Sequence, residues 1–466
     1  MLSIMTFLGV VLYRFAQKDI KNWFFSTNRK PMILRGARQV GKSTLVRLAA
    51  KEMGLELYEI NLERYLYLND IFKTQNTGKI IAEMEGIIGK IKDPENSLLF
   101  LDEIQAVPYA IQSLRYFLED MPELAVISAG SLLEFTLADH NFSMPVGRIS
   151  YYHLGPLSFL EYLKACDEEL YSYLEQYDPH TAMPDSRHEK LLEAQRIFLF
   201  TGGMPESVAL WNDTNSLETV RDIQRSIVDT YIDDFAKYAK REEPARLQKV
   251  FRSIPGLVGK KVKYSHISRE EKAAVVKASL NLLSKAKICT PIHHSDCSGL
   301  PLGAGLHEKI YKLLFIDIGL MNTLLGLEWH HIRNLNEKDL INEGSLAEQF
   351  VGQELLTSET GKKAPELFYW LREGRGNNAE VDYVMSKGTN IIPIEIKAGK
   401  SGSLKSLHQF AYHKKTRKAL RFDLNKPSRH TVRAQVSDSN NIFHEVSYTL
   451  ISLPLYLAGK VGWFLE

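Results

Sequence analysis

Residues 32–210 alternate short apolar runs with longer segments whose apolar positions recur at helical spacing. The runs are Met32–Leu34, Leu55–Asn61, Ser97–Leu101 and Leu124–Ser128; helical patterns such as Leu45–Met53 and Ile111–Leu118 lie between them. Strands that are apolar throughout are buried on both faces, so this alternation predicts a parallel sheet covered by helices. The polar stretch Asp178–Glu189 reads as a loop in or after this unit. From 215 to 290 the spacing is mainly helical. There Ala273–Leu283 followed by Ile288–Ile292 reads as a helix running into a strand, the pattern of a small winged-helix-like module. After 340 the order becomes helix Gly344–Leu356, strands Leu367–Arg372, Glu380–Met385 and Ile391–Lys397, helix Leu404–His413 and strand Leu420–Asp423. The apolar run Tyr448–Leu457, broken by Pro454, predicts a strand and turn packed on a core. The pattern therefore divides the chain into 1–210, 211–340 and 341–466. A length of 466 residues also predicts about three domains.

Chemistry first enters at the loop after Met32–Leu34. Gly36-Ala37-Arg38-Gln39-Val40-Gly41-Lys42-Ser43, with Thr44 next, has the spacing GxxxxGK[ST] between a strand and a helix. Glycines let backbone N–H groups wrap phosphates, and the helix N-terminus adds the positive end of its dipole. Lys42 is expected on the β- and γ-phosphates of ATP, and the Ser43 hydroxyl on Mg²⁺. About sixty residues on, the run Ser97–Leu101 ends in Asp102 and Glu103. Open α/β sheets bind ligands at that edge. Asp102 is expected to hold Mg²⁺ through water, and Glu103 to polarise the attacking water. Ser131, after the next strand, is a candidate γ-phosphate contact. Arg148 is the candidate arginine finger, with Arg35 and Arg38 as competitors.

A second set of carboxylates follows residue 340. Glu380 and Asp382 alternate on one predicted strand, and Glu395 and Lys397 on another, so each pair shares a face. Asp382 and Glu395 are hard oxygen ligands for Mg²⁺ or Mn²⁺; Glu348, on the preceding helix, is a third. Lys397 would position water and offset charge on a scissile phosphate. The whole order resembles the PD-(D/E)XK nuclease fold. The plainer reading is an amphipathic hairpin with a solvated polar face. Lys400, Lys405, Lys414, Lys415, Arg417 and Lys418 are candidate backbone contacts for nucleic acid. Nothing marks His408 and Gln409 as special.

The chain as a whole resembles a large prokaryotic family of AAA-type ATPases with a C-terminal domain of unknown function. The resemblance rests on Arg14, Trp23, the run Arg29–Ser43, Leu101-Asp-Glu-Ile-Gln105, Gly130-Ser131, Gly147-Arg148 and Leu157-Ser-Phe159. It continues in Gly202-Gly-Met-Pro205, Tyr231–Phe235, Phe315–Leu320 and Glu380-Val-Asp382. Leu132 departs from it, since that family more often has a second serine there, which weakens the role of Ser131. The resemblance implies a P-loop NTPase parallel sheet, then a helical and winged-helix-like module, then an α/β restriction-endonuclease-like domain. It assigns no cellular role.

Composition is that of a globular protein, with 44% hydrophobic, 24% charged and 10% aromatic residues. Whole-chain disorder, collagen and coiled coil are excluded. The formal net charge of +2 hides segregation. Residues 1–60 carry +6, 61–240 carry −14, 241–290 carry +8 and 361–430 carry +9. The two basic blocks fall on the winged-helix-like and nuclease-like segments, where nucleic acid would sit. Within the first of them, Gly256–Lys263 and the helices after it are the candidate reader. Three cysteines, Cys166, Cys289 and Cys297, predict a reducing cytoplasm and no disulfide framework. The apolar stretch Leu2–Leu12 is shorter than a membrane span and has no preceding positive charge, so it reads as a buried first element or residues upstream of a start at Met5. Cys289, His293, His294 and Cys297 lack a zinc frame and read as strand and turn residues. Asp233 and Asp234 are adjacent on a helix and face different ways. Asp317 reads as a turn or cap residue.

These features converge on an ATP-hydrolysing protein that couples nucleotide state to nucleic-acid binding, with DNA ahead of RNA. They add metal-dependent nuclease chemistry in the C-terminal domain, a homo-oligomeric assembly and no membrane segment. The competing expectation is an ATP-dependent switch or adaptor that binds DNA or a protein partner without cutting.

Overall fold

A computed structural model describes residues 12–131, 133, 147–238, 244–333, 343–358, 361–373, 378–399, 402–437 and 442–465. Lys400 and the apolar stretch before Leu12 lie outside them. Five parallel strands form the first sheet: β1 (Met32–Arg35), β2 (Glu56–Asn61), β3 (Ser97–Asp102), β4 (Ala125–Ala129) and β5 (Ser150–His153). Their order is β2-β3-β4-β1-β5. Successive side chains feed opposite faces, as strand geometry requires. Ile33, Leu99, Leu101 and Val126 enter one core with Phe72 and Leu114. Met32, Leu34, Leu98, Phe100 and Ile127 enter the other with Leu45 and Val46 of the helix Lys42–Met53. Four of these strands are the expected apolar runs. Ser150-Tyr-Tyr-His carries no such run, and it becomes β5 only by pairing with β1 from Met32↔Ser150 to Arg35↔His153.

The stretch Asp178–Glu189 is not wholly a loop. A helix begins at Asp185 and runs to Thr201, with Pro184 before its first turn. Its first turns are polar because they are mostly exposed; Leu191 and Phe198 bury its inner face.

The second sheet has eight strands: β6 (Cys289–Ser295), β7 (Leu306–Phe315), β8 (Phe368–Arg372), β9 (Ala379–Lys387), β10 (Asn390–Ile396), β11 (Lys418–Asp423), β12 (Ser428–Ser437) and β13 (Phe443–Pro454). Their order is β12-β13-β11-β10-β9-β8-β6-β7. Two of its strands precede residue 340, so the sheet crosses the division expected there. β8–β9–β10 form an antiparallel run, and β10 then pairs with β11 in parallel through the helix Lys405–Lys414. Helices Pro244–Ser253, Tyr264–Ile267 and Ala273–Lys285 lead into the antiparallel pair β6–β7. β12 went unpredicted because it is a largely exposed edge strand, held by pairing with β13.

The two sheets share apolar packing. Phe159 and Phe198 meet Phe350 edge-on, with ring centroids 6.1 and 5.9 Å apart. Phe350 belongs to the helix Glu343–Ser358 that precedes β8. From the same helix Glu354 accepts the Phe159 N–H at 2.8 Å. Among the described residues no helix is long and apolar enough to cross a membrane.

Candidate nucleotide site and a second carboxylate cluster

Because β1, β3 and β4 are parallel neighbours, their carboxyl ends share one edge. That edge gathers the loop Gly36–Thr44, Asp102 and Glu103, and Gly130-Ser131. Gln39 (φ 63°) and Gly41 (φ 89°) are left-handed. Such turns aim successive N–H groups into one concavity, an anion nest at the start of the helix Lys42–Met53. Gly36 admits no side chain, since a Cβ there would lie 2.2 Å from the Leu154 carbonyl oxygen.

Lys42 Nζ donates to the carbonyls of Gly36 (3.0 Å) and Ala37 (2.7 Å). Burial pushes its ammonium down to about 8, against the pull of Glu103 and Asp102. Ser43 Oγ donates to Asp102 Oδ2 at 2.9 Å, and burial raises the Asp102 carboxyl. Glu103 holds a left-handed φ of 52° and accepts a 2.5 Å bond from Gln105 Nε2. Left-handed backbone at a glutamate costs ~1–3 kcal/mol and persists where the surroundings enforce it, commonly at active sites. Gln105 is a residue the sequence reading left without a role. Its amide also packs on Gly130, where a Cβ would meet Gln105 Oε1 at 2.2 Å. The nest, the buried ammonium and the Ser43–Asp102 pair fit a triphosphate with its Mg²⁺.

The arginines separate. Arg148 lies before β5, whose first residue pairs with the first residue of β1, so it sits at the amino edge of the sheet. Its side chain is 51% exposed, 3.6 Å from Glu119. It does not join the phosphate site of its own chain, because a parallel sheet places the two edges on opposite sides of the domain. Arg35 stacks on Tyr151, 4.1 Å from the ring centroid. Arg38 pairs with Asp234, and its carbonyl accepts from Tyr231 Oη at 2.7 Å. Both partners lie on the helix Leu217–Tyr238. Asp234 is buried and Asp233 exposed, so the two do face apart.

Arg14 supports the loop from behind. It donates to the Val40 carbonyl (3.0 Å), to Gly155 (2.9 Å) and to Glu161 (3.1 Å), with both charged side chains 7% exposed. Glu161 also closes a capping box with Ser158. Removing one partner of a buried ion pair strands the other charge at a cost of roughly 3–5 kcal/mol. Arg14→Ala is therefore expected to lower unfolding free energy by about that amount. Denaturant melts of the purified variant would check this, and a change under about 1 kcal/mol would show the pair to be dispensable.

The second cluster is assembled from four strands and one helix. Glu380 and Asp382 of β9, Glu348 of the helix Glu343–Ser358, and Glu395 with Lys397 at the end of β10 come together, as alternation on the strands requires. Between them stands Lys312 of β7, with a side chain only 2% exposed. Its Nζ lies 2.5 Å from Glu380, 3.3 Å from Glu348 and 3.8 Å from Asp382. Tyr369 presents its ring 5.3 Å from the ammonium. Burial alone would lower Lys312, but the three carboxylates outweigh it and hold it up in its charged form. Asp382 Oδ2 accepts the Ile396 N–H at 2.7 Å, and Lys397 donates to Glu395 Oε1 at 2.6 Å. Glu395 Oε2 is buried without a hydrogen-bond partner among the described residues. Burial, then Asp382, raises Glu395 to about 7, and burial raises Glu348 to about 8. The sequence signal for Lys312 is a lone cation in the apolar run Ile310–Ile316.

Several of the remaining candidates have structural partners. Lys414 meets Ser298 at 3.3 Å, and Lys418 donates to the Leu465 carbonyl at 3.0 Å. Lys405, Lys415 and Arg417 are exposed. His408 bonds Tyr448, and Gln409 accepts from Arg372. Asp317 caps the helix Ile318–Leu324 and also accepts the Gly203 N–H at 2.7 Å. His294, Asp296 and His307 place ligand atoms within 4.8 Å of one another. However, the Leu371 N–H donates to His294 Nδ1 at 3.2 Å, and His307 Nε2 lies 3.0 Å from Asp296 Oδ1. Hydrogen bonds to the backbone and between the side chains account for this group. Burial pushes the Cys289 and Cys297 thiols up to about 12 and about 11, away from the thiolate a metal needs.

Residues 28–163 match the family described as AAA domain. The chain carries an AAA-type ATPase domain. Residues 192–331 match a domain of unknown function, DUF8612, and 343–455 another, DUF4143. The replication factor C large subunit of Sulfurisphaera tokodaii is 33% identical over 97 residues, 20% of this chain and 20% of that protein. The match thus spans about a fifth of that relative. Similar solved structures include the Aeropyrum pernix Orc1 protein in complex with DNA, at 13% identity and a TM-score of 0.30. It covers 68% of this chain and 93% of that one. A RuvB variant of Thermotoga maritima has 16% identity and a TM-score of 0.30 over 63% and 91%. The domain match and the loop geometry together make the first sheet the AAA domain.

Proposed function

We infer that the protein binds and hydrolyses ATP and passes its nucleotide state to a nucleic-acid-binding module. Gly36–Thr44 would hold the phosphates, with Ser43 and Asp102 on Mg²⁺. Bound there, Mg²⁺ would neutralise charge on the phosphates. Glu103, kept in place by Gln105, is positioned to take a proton from water.

One observation carries the coupling. Arg38 is part of the phosphate loop, yet its side chain and carbonyl are both held by the helix Leu217–Tyr238. From that helix Phe235 packs on Phe251 (5.4 Å), which packs on Phe315 of β7 (5.6 Å). A shift of the loop on nucleotide binding would thus reach the helices Pro244–Ser253 to Ala273–Lys285 and the β6–β7 pair. We read those elements as the winged-helix-like module. Arg252, Lys260, Lys263, Arg269, Lys272 and Lys277 are exposed on it, which supports polyanion binding. The replication protein among the relatives favours DNA. The order of helix, β8–β9–β10, helix and β11 supports a nuclease-like reading of the C-terminal fold. A homo-oligomer would let Arg148, remote from its own phosphate site, serve a neighbour.

DNA affinity of the full chain, measured by fluorescence anisotropy with and without ATP, should differ at least about fivefold. Asp234→Ala should erase the difference while ATP still binds. Equal DNA affinity in both nucleotide states of the unaltered protein would refute the coupling.

A further inference from the structure

We propose that Lys312 stands in the place of the divalent cation in the nuclease-like centre, so that this domain holds an internal ammonium and does not cleave. The inference rests on the nuclease-like reading of the C-terminal fold and deepens it.

The carboxylates arrive as a metal site would need them, but each already gives an oxygen to a lysine. Glu380 and Glu348 face the Lys312 ammonium. Asp382 divides its oxygens between Lys312 and the Ile396 N–H. Glu395 gives Oε1 to Lys397, and only its Oε2 is left over. Mg²⁺ needs several oxygens together at about 2.0–2.1 Å. The position shared by Glu348 and Asp382 is where those oxygens converge, and Lys312 Nζ is there. A divalent ion beside it would meet a fixed like charge, since the Lys312 side chain is only 2% exposed.

Lys312 is also built to stay. It projects from the middle of β7, and its neighbours Tyr311 and Leu313 are buried too. The Tyr369 ring flanks it. A lysine is almost never fully buried unless paired, and here it has three carboxylates. β7 also carries Phe315, against which Phe251 of the helix Pro244–Ser253 packs.

The test uses full-length, nucleotide-free protein and Mn²⁺ followed by electron paramagnetic resonance. Wild type and Asp382→Asn should bind Mn²⁺ equally. Lys312→Met, which keeps the length of the side chain, should gain a site at least about tenfold tighter, and adding Asp382→Asn should remove it. An Asp382-dependent Mn²⁺ site in wild type would overturn the proposal, and this arm needs no Lys312 variant to fold. A folded Lys312→Met protein with no new site would overturn it as well. Neither result bears on ATP-dependent DNA affinity, which is read separately.

Discussion

Lys42→Ala is expected to lower steady-state ATP turnover by about 100-fold or more. The reason is geometric. Lys42 Nζ is buried at the mouth of the nest, bonded to the carbonyls of Gly36 and Ala37, whereas the loop's other cation, Arg38, is paired with Asp234. A phosphate-release assay on the variant checks it; turnover within a few-fold of wild type would mean that the loop does not hold the reacting phosphates. The same residue predicts a pH effect. Its ammonium lies at about 8 in the free protein, so it is charged below that pH and neutral above it. Apparent ATP affinity should therefore weaken as pH rises through about 8. Lys42→Arg, which stays charged, should flatten that limb of the profile.

Glu103→Gln is expected to lower kcat by about 10²- to 10⁴-fold while ATP still binds. The amide keeps the shape and can still meet Gln105, but it cannot accept a proton from water. The contrast with Lys42→Ala separates capture of the nucleotide from its hydrolysis. Gln105→Ala should fall between wild type and Glu103→Gln, because it frees the carboxylate from its 2.5 Å bond without removing it. If Glu103→Gln turned over ATP at the wild-type rate, the base would have to lie elsewhere on the strand edge.

The nucleotide loop was legible because its chemistry is local. Gly36, Gly41, Lys42 and Ser43 are contiguous, and the strand and helix around them are marked by apolar spacing. Asp102 and Glu103 were legible because an apolar strand ends in two charges. Gln105 had no comparable signal, since its role comes from a left-handed turn at Glu103. Arg148 could be placed only by the fold. Its motif is close in sequence to the domain's functional runs, yet parallel pairing of β5 puts it on the far edge. The C-terminal carboxylates were found from alternation, which places Glu380 with Asp382 and Glu395 with Lys397.

By itself, then, the sequence determined which strands are apolar, where the phosphate loop lies, and which carboxylates share a face. Those are properties of spacing within one segment. Only the tertiary structure decided that Arg38 is clamped by Asp234 and Tyr231, that β6 and β7 join the C-terminal sheet, and that Lys312 stands among the carboxylates. Each of these joins residues far apart in the chain, and burial creates the interaction. A lysine in an apolar run has no charge partner until folding brings three carboxylates to it and removes the water that would otherwise solvate it.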